Sequence, residues 1–423
     1  MTAIGAATAA RLDERTARRL LLAALLAAAA ILWIVFRGQG TLPHDDDFPL
    51  FRSLNGVRDI VDQNRTVLAP IRSAVGALVE LFNLVIASLG WPGILGVAGS
   101  LGLVFGGIRL ALLAITGFAS LGVLGLWDES MATLGLMLAA VLIAIAIGVP
   151  LGILAGRSRR VSAVLAPVLD VMQIMPTFAY LTPMTLLFLI GAPSSTVATL
   201  IYAIPPAIRI TALGIRDVPS ATVEAAVSLG ATDRQVLGKV QLPLARRAIG
   251  LGINQSIMMA LSMVVITGLI GAPGLGRNIL QAVQKTDVGA AFDAGIAIVI
   301  LAIILDRLTY AAGDWLDPRT RRRTIRTVRQ RLLGWSAPAT ILAVGLLAPF
   351  AVDATRFPSE ISFSFREPVN TFVDWLTGSI SGATVGLKNV LTTIVINPIE
   401  TVLTNAPWLL VVAVAMVVAW FLS

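Results

Sequence analysis

Residues 217–247 read Asp-Val-Pro-Ser-Ala-Thr-Val-Glu-Ala-Ala-Val-Ser-Leu-Gly-Ala-Thr-Asp-Arg-Gln-Val-Leu-Gly-Lys-Val-Gln-Leu-Pro-Leu-Ala-Arg-Arg, a polar stretch between two long apolar runs. Pro219 can precede a helix but not lie inside one, and Ser220 is a good N-cap. Glu224 would then fall near the first turn, where a carboxylate suits the positive end of the helix dipole. Gly230 has the conformational freedom needed just after a helix end. The first half of the stretch is therefore predicted to be a short helix.

A second short helix is predicted in the other half of the stretch. Thr232 and Gln235 have the spacing of a capping box, in which each residue satisfies a backbone N–H of the other. Pro243 is expected to end this helix, because proline cannot donate the helical hydrogen bond. Ala225 and Ala226 leave a low surface that another backbone can approach closely. The two helices together predict a hairpin that docks onto a second surface.

Several spaced positions in this hairpin resemble the EAA loop of ABC-importer permeases. The positions that carry the resemblance are Glu224, Ala225, Ala226, Leu229, Gly230, Ala231, Leu242 and Pro243. In that family the loop lies in the cytoplasm and docks into a groove on an ATPase subunit, so the resemblance implies the same docking for residues 217–247. The plainer alternative is a helical hairpin with no special role, and the apolar runs on both sides argue against it.

The composition of the chain is that of a multi-pass membrane protein. Hydrophobic residues make up 57% and charged residues 13%, whereas soluble domains carry about a quarter charged residues. The absence of cysteine excludes disulfides and thiolate metal sites, and the lone histidine, His44, argues against histidine catalysis or a zinc site. We expect no enzymatic activity in this chain.

Apolar runs of about 20 residues predict the membrane spans. They lie at about 20–36, 92–108, 110–126, 132–155, 171–190, 196–215, 248–270 and 290–307. The first is expected to remain as an uncleaved span, and an amphipathic outer segment follows it. A turn is predicted at Gly106 and Gly107.

The positions of the basic residues predict the orientation. With the N-terminus inside, 22 of the 32 Lys and Arg residues fall on the side of the hairpin and 10 on the other side. The hairpin is therefore placed in the cytoplasm, with the chain in a bacterial inner (plasma) membrane. This topology explains the net charge of +8 without a nucleic-acid partner. The basic residues near the linker 313–336 predict a topology anchor, with binding to anionic membrane lipid as the less favoured alternative.

Four further segments sharpen the resemblance. They are Asp170–Tyr180, Ile204–Arg216, Gly252–Ile266 and Ile304–Thr309, and in this order they are similar to the glycine betaine/proline betaine permeases of the ProU and OpuA type. The resemblance covers roughly residues 90–312. It implies an all-α, type I ABC-importer permease core.

The resemblance also implies function and partners. The chain would be the permease subunit of an ATP-driven importer of compatible solutes, with a substrate-binding protein or domain and a second permease copy. No Walker A motif is present, since Gly238-Lys239 is followed by Val240, so ATP and Mg would be bound by a separate ATPase subunit. Alternatives left open are a permease for choline, carnitine or methionine and, less favoured, an osmotically gated channel that does not use ATP.

Polar, aromatic and proline residues inside the predicted spans mark a candidate translocation pathway. They are Gln173, Pro176, Phe178, Tyr180, Asn254, Gln255, Met258 and Ser262. Polar groups at this depth usually face a pathway or a helix bundle, and proline breaks the hydrogen-bond ladder where freed groups find other partners. Interhelical contact is an equally weighted alternative for each polar residue, and core packing is favoured for the aromatic and methionine residues.

The domain prediction places an N-terminal span and outer segment at 1–90, the permease core at 91–312, a basic linker at 313–336 and two further spans at 337–423. The last part resembles the beginning of the chain. Phe357-Pro358 follows an apolar run as Phe48-Pro49 does, and Val373-Asp374 follows as Val61-Asp62 does. This order predicts a partial second permease copy. The alternatives are an added scaffold and a chance similarity.

Overall fold

The structure is a computed structural model of the chain. It describes residues 65–316, 328–348 and 356–404, together with 406–407, 410–416 and isolated positions within 27–35 and at 56. Within these residues the regular elements are helical and none is a strand, which confirms the all-α prediction. Most of the predicted first span, at about 20–36, lies outside the described residues. The chain forms two compact units, one of residues 61–373 and one of residues 1–60 with 374–423.

The helices follow one another with short connections. In chain order they are α1 Arg65–Gly106, α2 Ile108–Val123, α3 Trp127–Arg157, α4 Arg159–Ile174, α5 Thr177–Phe188, α6 Ala192–Arg216, α7 Ser220–Ser228, α8 Asp233–Val236, α9 Leu242–Thr267, α10 Leu275–Gln284, α11 Val288–Leu316, α12 Val328–Leu347, α13 Arg366–Leu391 and α14 Asn397–Thr404. π-Helical turns join α8 to α9 at Leu237–Gln241 and α13 to α14 at Thr392–Ile396.

Four of the eight predicted spans fall within helices that are long and apolar enough to cross a bilayer, the span at about 92–108 overlaps the end of the longer α1, and the span at about 110–126 corresponds to the shorter α2. Five helices of the described part are long and apolar enough to cross a bilayer, and the number rises to seven if each bent pair counts as one span. The predicted spans at about 132–155, 196–215, 248–270 and 290–307 fall within α3, α6, α9 with its 3₁₀ extension, and α11. Gly107 has φ +77°, so the predicted turn between α1 and α2 is confirmed.

The predicted span at about 171–190 is not one continuous helix, although the bent pair found there can count as one broken span. The chain instead forms two helices, α4 and α5, which meet at 102°. Proline disfavours the helical conformation of the residue before it, and Met175 accordingly has ψ 130° ahead of Pro176. We call residues 159–188 the elbow.

Small residues let α3 and α6 approach closely in the centre of the larger unit. A Cβ added at Gly148 would lie 2.8 Å from Ala207 Cβ, and one at Gly152 would lie 2.7 Å from the carbonyl oxygen of Ile208. Gly156 meets Ile215 one turn further on. This spacing of small residues is the usual way for membrane helices to pack backbone against backbone. Helices α3 and α6 therefore form a rigid pair, with α9 packed on α6.

Residues 356–373, which we call the strap, lie across the N-terminal ends of α3 and α11. The Phe357 ring lies between the indoles of Trp91 and Trp127, with centroid distances of 5.4 and 5.6 Å. The Phe363 N–H donates to the carbonyl of Val123 at 2.6 Å. The second Phe-Pro of the chain is therefore half-buried against the helices of the larger unit. The division of the chain into domains stays a prediction.

Candidate functional site

The first helix of the hairpin begins one residue earlier than predicted. Pro219 is the N-cap of α7, and its carbonyl accepts the N–H groups of Thr222 at 3.0 Å and Val223 at 3.3 Å. Ser220 is already helical, so the assignment of Ser220 as N-cap is wrong. Because Pro219 supplies the carbonyl for the first turn, the serine hydroxyl is not used for capping.

The helix ends at Gly230 through a Schellman motif. Gly230 has φ +82°, and its N–H donates to the carbonyl of Val227 at 2.8 Å. The N–H of Ala231 donates to the carbonyl of Ala226 at 3.1 Å. These two bonds satisfy the last carbonyls of α7, and the left-handed backbone favours glycine. The predicted role of Gly230 is confirmed.

The second helix begins with the predicted capping box. The N–H of Thr232 donates to Oε1 of Gln235 at 2.9 Å. Pro243 does not end this helix, and that prediction is wrong. The chain passes through the π-turn Leu237–Gln241 directly into α9, with Pro243 in its first turn. A π-turn widens the helix and changes its hydrogen-bond pattern, so a proline just beyond it is accommodated.

The eight predicted docking residues form one largely exposed surface. The Leu229 side chain is 88% exposed, and Glu224, Ala225, Gly230 and Pro243 are also exposed. The other three, Ala226, Ala231 and Leu242, are half-buried. An isolated leucine this exposed at a helix end gains nothing from burial within the chain. The arrangement suits contact with another surface.

Two arginines fix the hairpin to the helices behind it. The Arg216 guanidinium, at the end of α6, donates to the carbonyl of Ala155 on α3 at 2.7 Å. Arg157 at the end of α3 lies 3.8 Å from the Asp233 carboxylate of the hairpin. Between these groups and Glu224 lies a cleft of ≈ 380 Å³. The hairpin is thus joined to the α3–α6 pair through the end of α6, and the exposed pair with Asp233 near its tip adds little.

The predicted pathway residues on the elbow separate into two groups. Gln173, Pro176 and Phe178 are exposed, with Phe178 at 61%. Tyr180 is buried, and its hydroxyl donates to the carbonyl of Met172 at 2.5 Å across the bend. The tyrosine therefore holds α4 against α5, and this hydrogen bond satisfies one of the carbonyls at the end of α4.

The predicted pathway residues on α9 also differ in their exposure and contacts. Gln255 and Ser262 are exposed and Met258 is half-buried, and their spacing of three and four residues places them on one side of the helix. Asn254, which is buried, contacts α11. Its amide donates to Asp306 Oδ1 at 3.0 Å, and its carbonyl oxygen accepts from the Thr309 hydroxyl. Asn254 thus makes the interhelical contact that was the alternative to a pathway.

The sequence did not single out an ion pair between the elbow and α6. Arg209 Nη2 lies 2.5 Å from Asp170 Oδ1, with both side chains about half exposed. The available signal was two opposite charges inside the apolar segments that carried the resemblance. No cluster of His, Cys, Asp or Glu that could hold a metal ion occurs in the part of the chain that the structure describes.

Comparisons with known proteins show which family the chain is similar to. Residues 148–322 match the family model described as binding-protein-dependent transport system inner membrane component. The chain is 41% identical over 272 residues to the glycine betaine/proline betaine transport system permease protein ProW of Escherichia coli, covering 64% of this chain and 77% of the relative. It is 52% identical over 202 residues to the glycine betaine/carnitine transport permease protein GbuB of Listeria monocytogenes, covering 48% of this chain and 72% of the relative.

Among solved structures, the inward-facing MetNI methionine ABC transporter is similar at 20% identity. The match covers 46% of this chain and 95% of that chain, with a TM-score of 0.40.

Proposed function

The chain belongs to the glycine betaine/proline betaine family of ABC-importer permeases, and we propose that it admits glycine betaine, proline betaine or a similar compatible solute. It is a multi-pass membrane protein and a transporter subunit rather than an enzyme. The names of the relatives support the solute class. The observation that carries the coupling mechanism is the exposed, self-capped hairpin with Leu229 at its tip.

We propose that the hairpin docks on a separate ATPase subunit in the cytoplasm, with the N-terminus on the same side. That ATPase binds ATP and Mg, and a substrate-binding protein or domain delivers the solute to the opposite face. Closure of the ATPase pushes on the hairpin, and the permease alternates between outward-open and inward-open states. One hairpin per chain implies a second permease copy, either as a homodimer or as a partner chain.

We propose that the solute passes along the exposed residues of the elbow and α9. Gln173, Phe178, Gln255 and Ser262 supply amide, aromatic and hydroxyl groups on surfaces that the described residues leave open. An aromatic face attracts a quaternary ammonium, and amides and hydroxyls can bind a carboxylate. A second copy facing this surface would enclose the pathway.

The test is uptake of radiolabelled glycine betaine into proteoliposomes that hold the chain, its ATPase and its binding protein. We expect uptake with ATP inside the vesicles and none with a non-hydrolysable analogue. Unlabelled proline betaine, carnitine, choline and methionine serve as competitors and rank the solutes. ATP-independent uptake would replace the importer with a channel. ATPase activity that depends on the permease, without betaine uptake, would keep the importer and change the solute.

A further inference from the structure

We propose that Asp170 and Arg209 are a positioning pair that transmits movement of the docking hairpin to the elbow. The inference rests on the proposed function, because it assigns a step within ATP-driven transport. Arg209 lies on α6, which leads into the hairpin, and Asp170 lies on α4, the first arm of the elbow.

The first step is the connection from the hairpin to Arg209. Helix α6 ends at Arg216, and the hairpin helix α7 begins four residues later. Arg209 lies seven residues before this end, or about 10 Å along the helix axis at 1.5 Å per residue. The Arg216 bond to Ala155 and the close packing at Gly152 make α6 move with α3 as one body. A displacement of the hairpin base is therefore carried along α6 to Arg209.

The second step is the weak attachment of α4. In this helix of 16 residues only Leu169 is buried, and Asp170 follows it directly. The carboxylate of Asp170 meets the guanidinium of Arg209 at 2.5 Å, and the two side chains are 53% and 42% exposed. Pairs this exposed add little to stability. The pair is nevertheless the directional polar contact at the point where α4 meets the core, so it fixes the position of α4 relative to α6.

The third step is the connection from α4 to α5. The backbone at Met175 and Pro176 is extended, so the two helices are not joined by a continuous hydrogen-bond ladder. The Tyr180 hydroxyl bridges the bend through the carbonyl of Met172. A shift of α4 therefore displaces α5 and Phe178, which are part of the proposed pathway. Movement of the hairpin thus changes the geometry of the proposed pathway through the contacts of Asp170, Arg209 and Tyr180.

The experiment compares solute uptake with ATP hydrolysis in the reconstituted importer. Asp170→Asn and Arg209→Gln are expected to keep ATPase activity and to lower the number of solutes moved per ATP about tenfold, within the range of coupling between distant sites. The exchange of both charges, Asp170→Arg with Arg209→Asp, is expected to restore most of the wild-type number of solutes moved per ATP hydrolysed. A merely structural role would lower uptake and hydrolysis together.

Asp287→Asn is the matched control. Asp287 also pairs with an arginine at 2.5 Å, Arg366, but at the other end of α3 and α11, away from the hairpin. This variant is expected to keep the wild-type ratio of solute to ATP. An unchanged ratio in Asp170→Asn, or an equal loss in Asp287→Asn, would overturn the proposal.

A second readout does not depend on the identity of the solute. The chain has no cysteine, and Ile174 on the elbow is 80% exposed, so Ile174→Cys can be labelled at one position. We expect ATP to change the labelling rate in the otherwise unmodified importer and not in the Asp170→Asn background. If ATP changes the labelling rate equally with and without Asp170→Asn, the proposed role of the pair is wrong, whether or not betaine is the solute. A complete failure of ATP-dependent uptake with intact label changes would count against the proposed solute alone.

Discussion

The docking hairpin and the strap lie at opposite ends of α3 and are stabilised by different kinds of contact. The hairpin satisfies its own backbone through the Schellman motif at Gly230 and the capping box at Thr232, and it leaves Leu229 88% exposed. The strap depends on distant groups, because Phe357 lies between two tryptophans. A self-capped element keeps its shape without help from distant residues, whereas the strap is held in place by contacts with distant residues, although its residues 360–368 are themselves exposed. The self-capped and exposed hairpin supports the proposed docking of this end on an ATPase.

The strap end is also rich in polar contacts. Asp293 is 6% exposed and accepts hydrogen bonds from the Ser364 hydroxyl at 2.5 Å and from the Phe365 N–H at 3.0 Å. Asn370 accepts from the N–H of Gly289 at 2.7 Å. A Cβ on Gly289 would lie 2.2 Å from the carbonyl oxygen of Arg366, so the two backbones are in close contact. These contacts attach the strap to the first two turns of α11.

The largest expected effect is the loss of the strap anchor. Phe357→Ala removes an aromatic ring from between Trp91 and Trp127 and is expected to lower the free energy of unfolding by about 3 kcal/mol. Leu229→Ala removes a comparable apolar group from the hairpin tip and is expected to change the free energy of unfolding by less than about 0.5 kcal/mol. Denaturation of each variant in detergent measures the change in its free energy of unfolding. Similar losses in the two variants would remove the contrast between the strap and the hairpin.

A smaller effect is expected inside the hairpin. Gly230→Ala forces a side chain into the left-handed region at φ +82° and is expected to destabilise α7 by about 1 kcal/mol. Gly238→Ala is the matched control, since a Cβ there meets open space and Gly238 has no positive φ. Amide hydrogen exchange of residues 220–236 measures the difference. Faster exchange in both variants, or in neither, would contradict the assigned turn.

The smallest effect is a pH dependence at the strap. The hydrogen bond from Asn370, helped by the N–H of Ala290 and by Arg366, lowers the pKa of Asp287 from 3.8 to about 2. Because the folded pKa is the lower one, the carboxylate stabilises the strap fully above pH 3.8, and this contribution is lost as the pH falls toward 2. The melting temperature of the wild type should therefore drop more than that of Asp287→Asn between pH 5 and pH 2.5. If the melting temperatures of the wild type and of Asp287→Asn fall by the same amount over this pH range, the carboxylate does not stabilise the strap.

The local features of the hairpin could be predicted from the sequence because they depend on neighbouring residues. Gly230, Thr232 and Gln235 lie within five residues of one another, and the structure confirms their roles. Pro243 was misassigned because its tolerance depends on the π-turn before it. The break of the hydrogen-bond ladder at Pro176 was expected, but the 102° bend could not be predicted, since a proline in an apolar run is compatible with either a kinked span or two separate helices.

Contacts between distant residues could not be predicted. Asp170 and Arg209 are 39 residues apart, and Ser364 meets Asp293 across 71 residues. Nothing in one sequence indicates which of many charged residues will pair. The apolar pattern predicted that α3 and α6 are membrane helices, and the resemblance predicted their family. Neither predicted that the second Phe-Pro would pack against the first permease core.

The central claim is that the hairpin couples a separate ATPase to solute movement, and uptake by a Gly230→Glu variant tests it most directly. Gly230 has no neighbour within 4 Å of an added Cβ, so a glutamate there alters the turn and the docking surface without disturbing the core. ATP-dependent uptake of glycine betaine in proteoliposomes should be present in the wild type and abolished in the variant, with the permease still inserted and folded. Wild-type uptake in the Gly230→Glu importer would contradict the account.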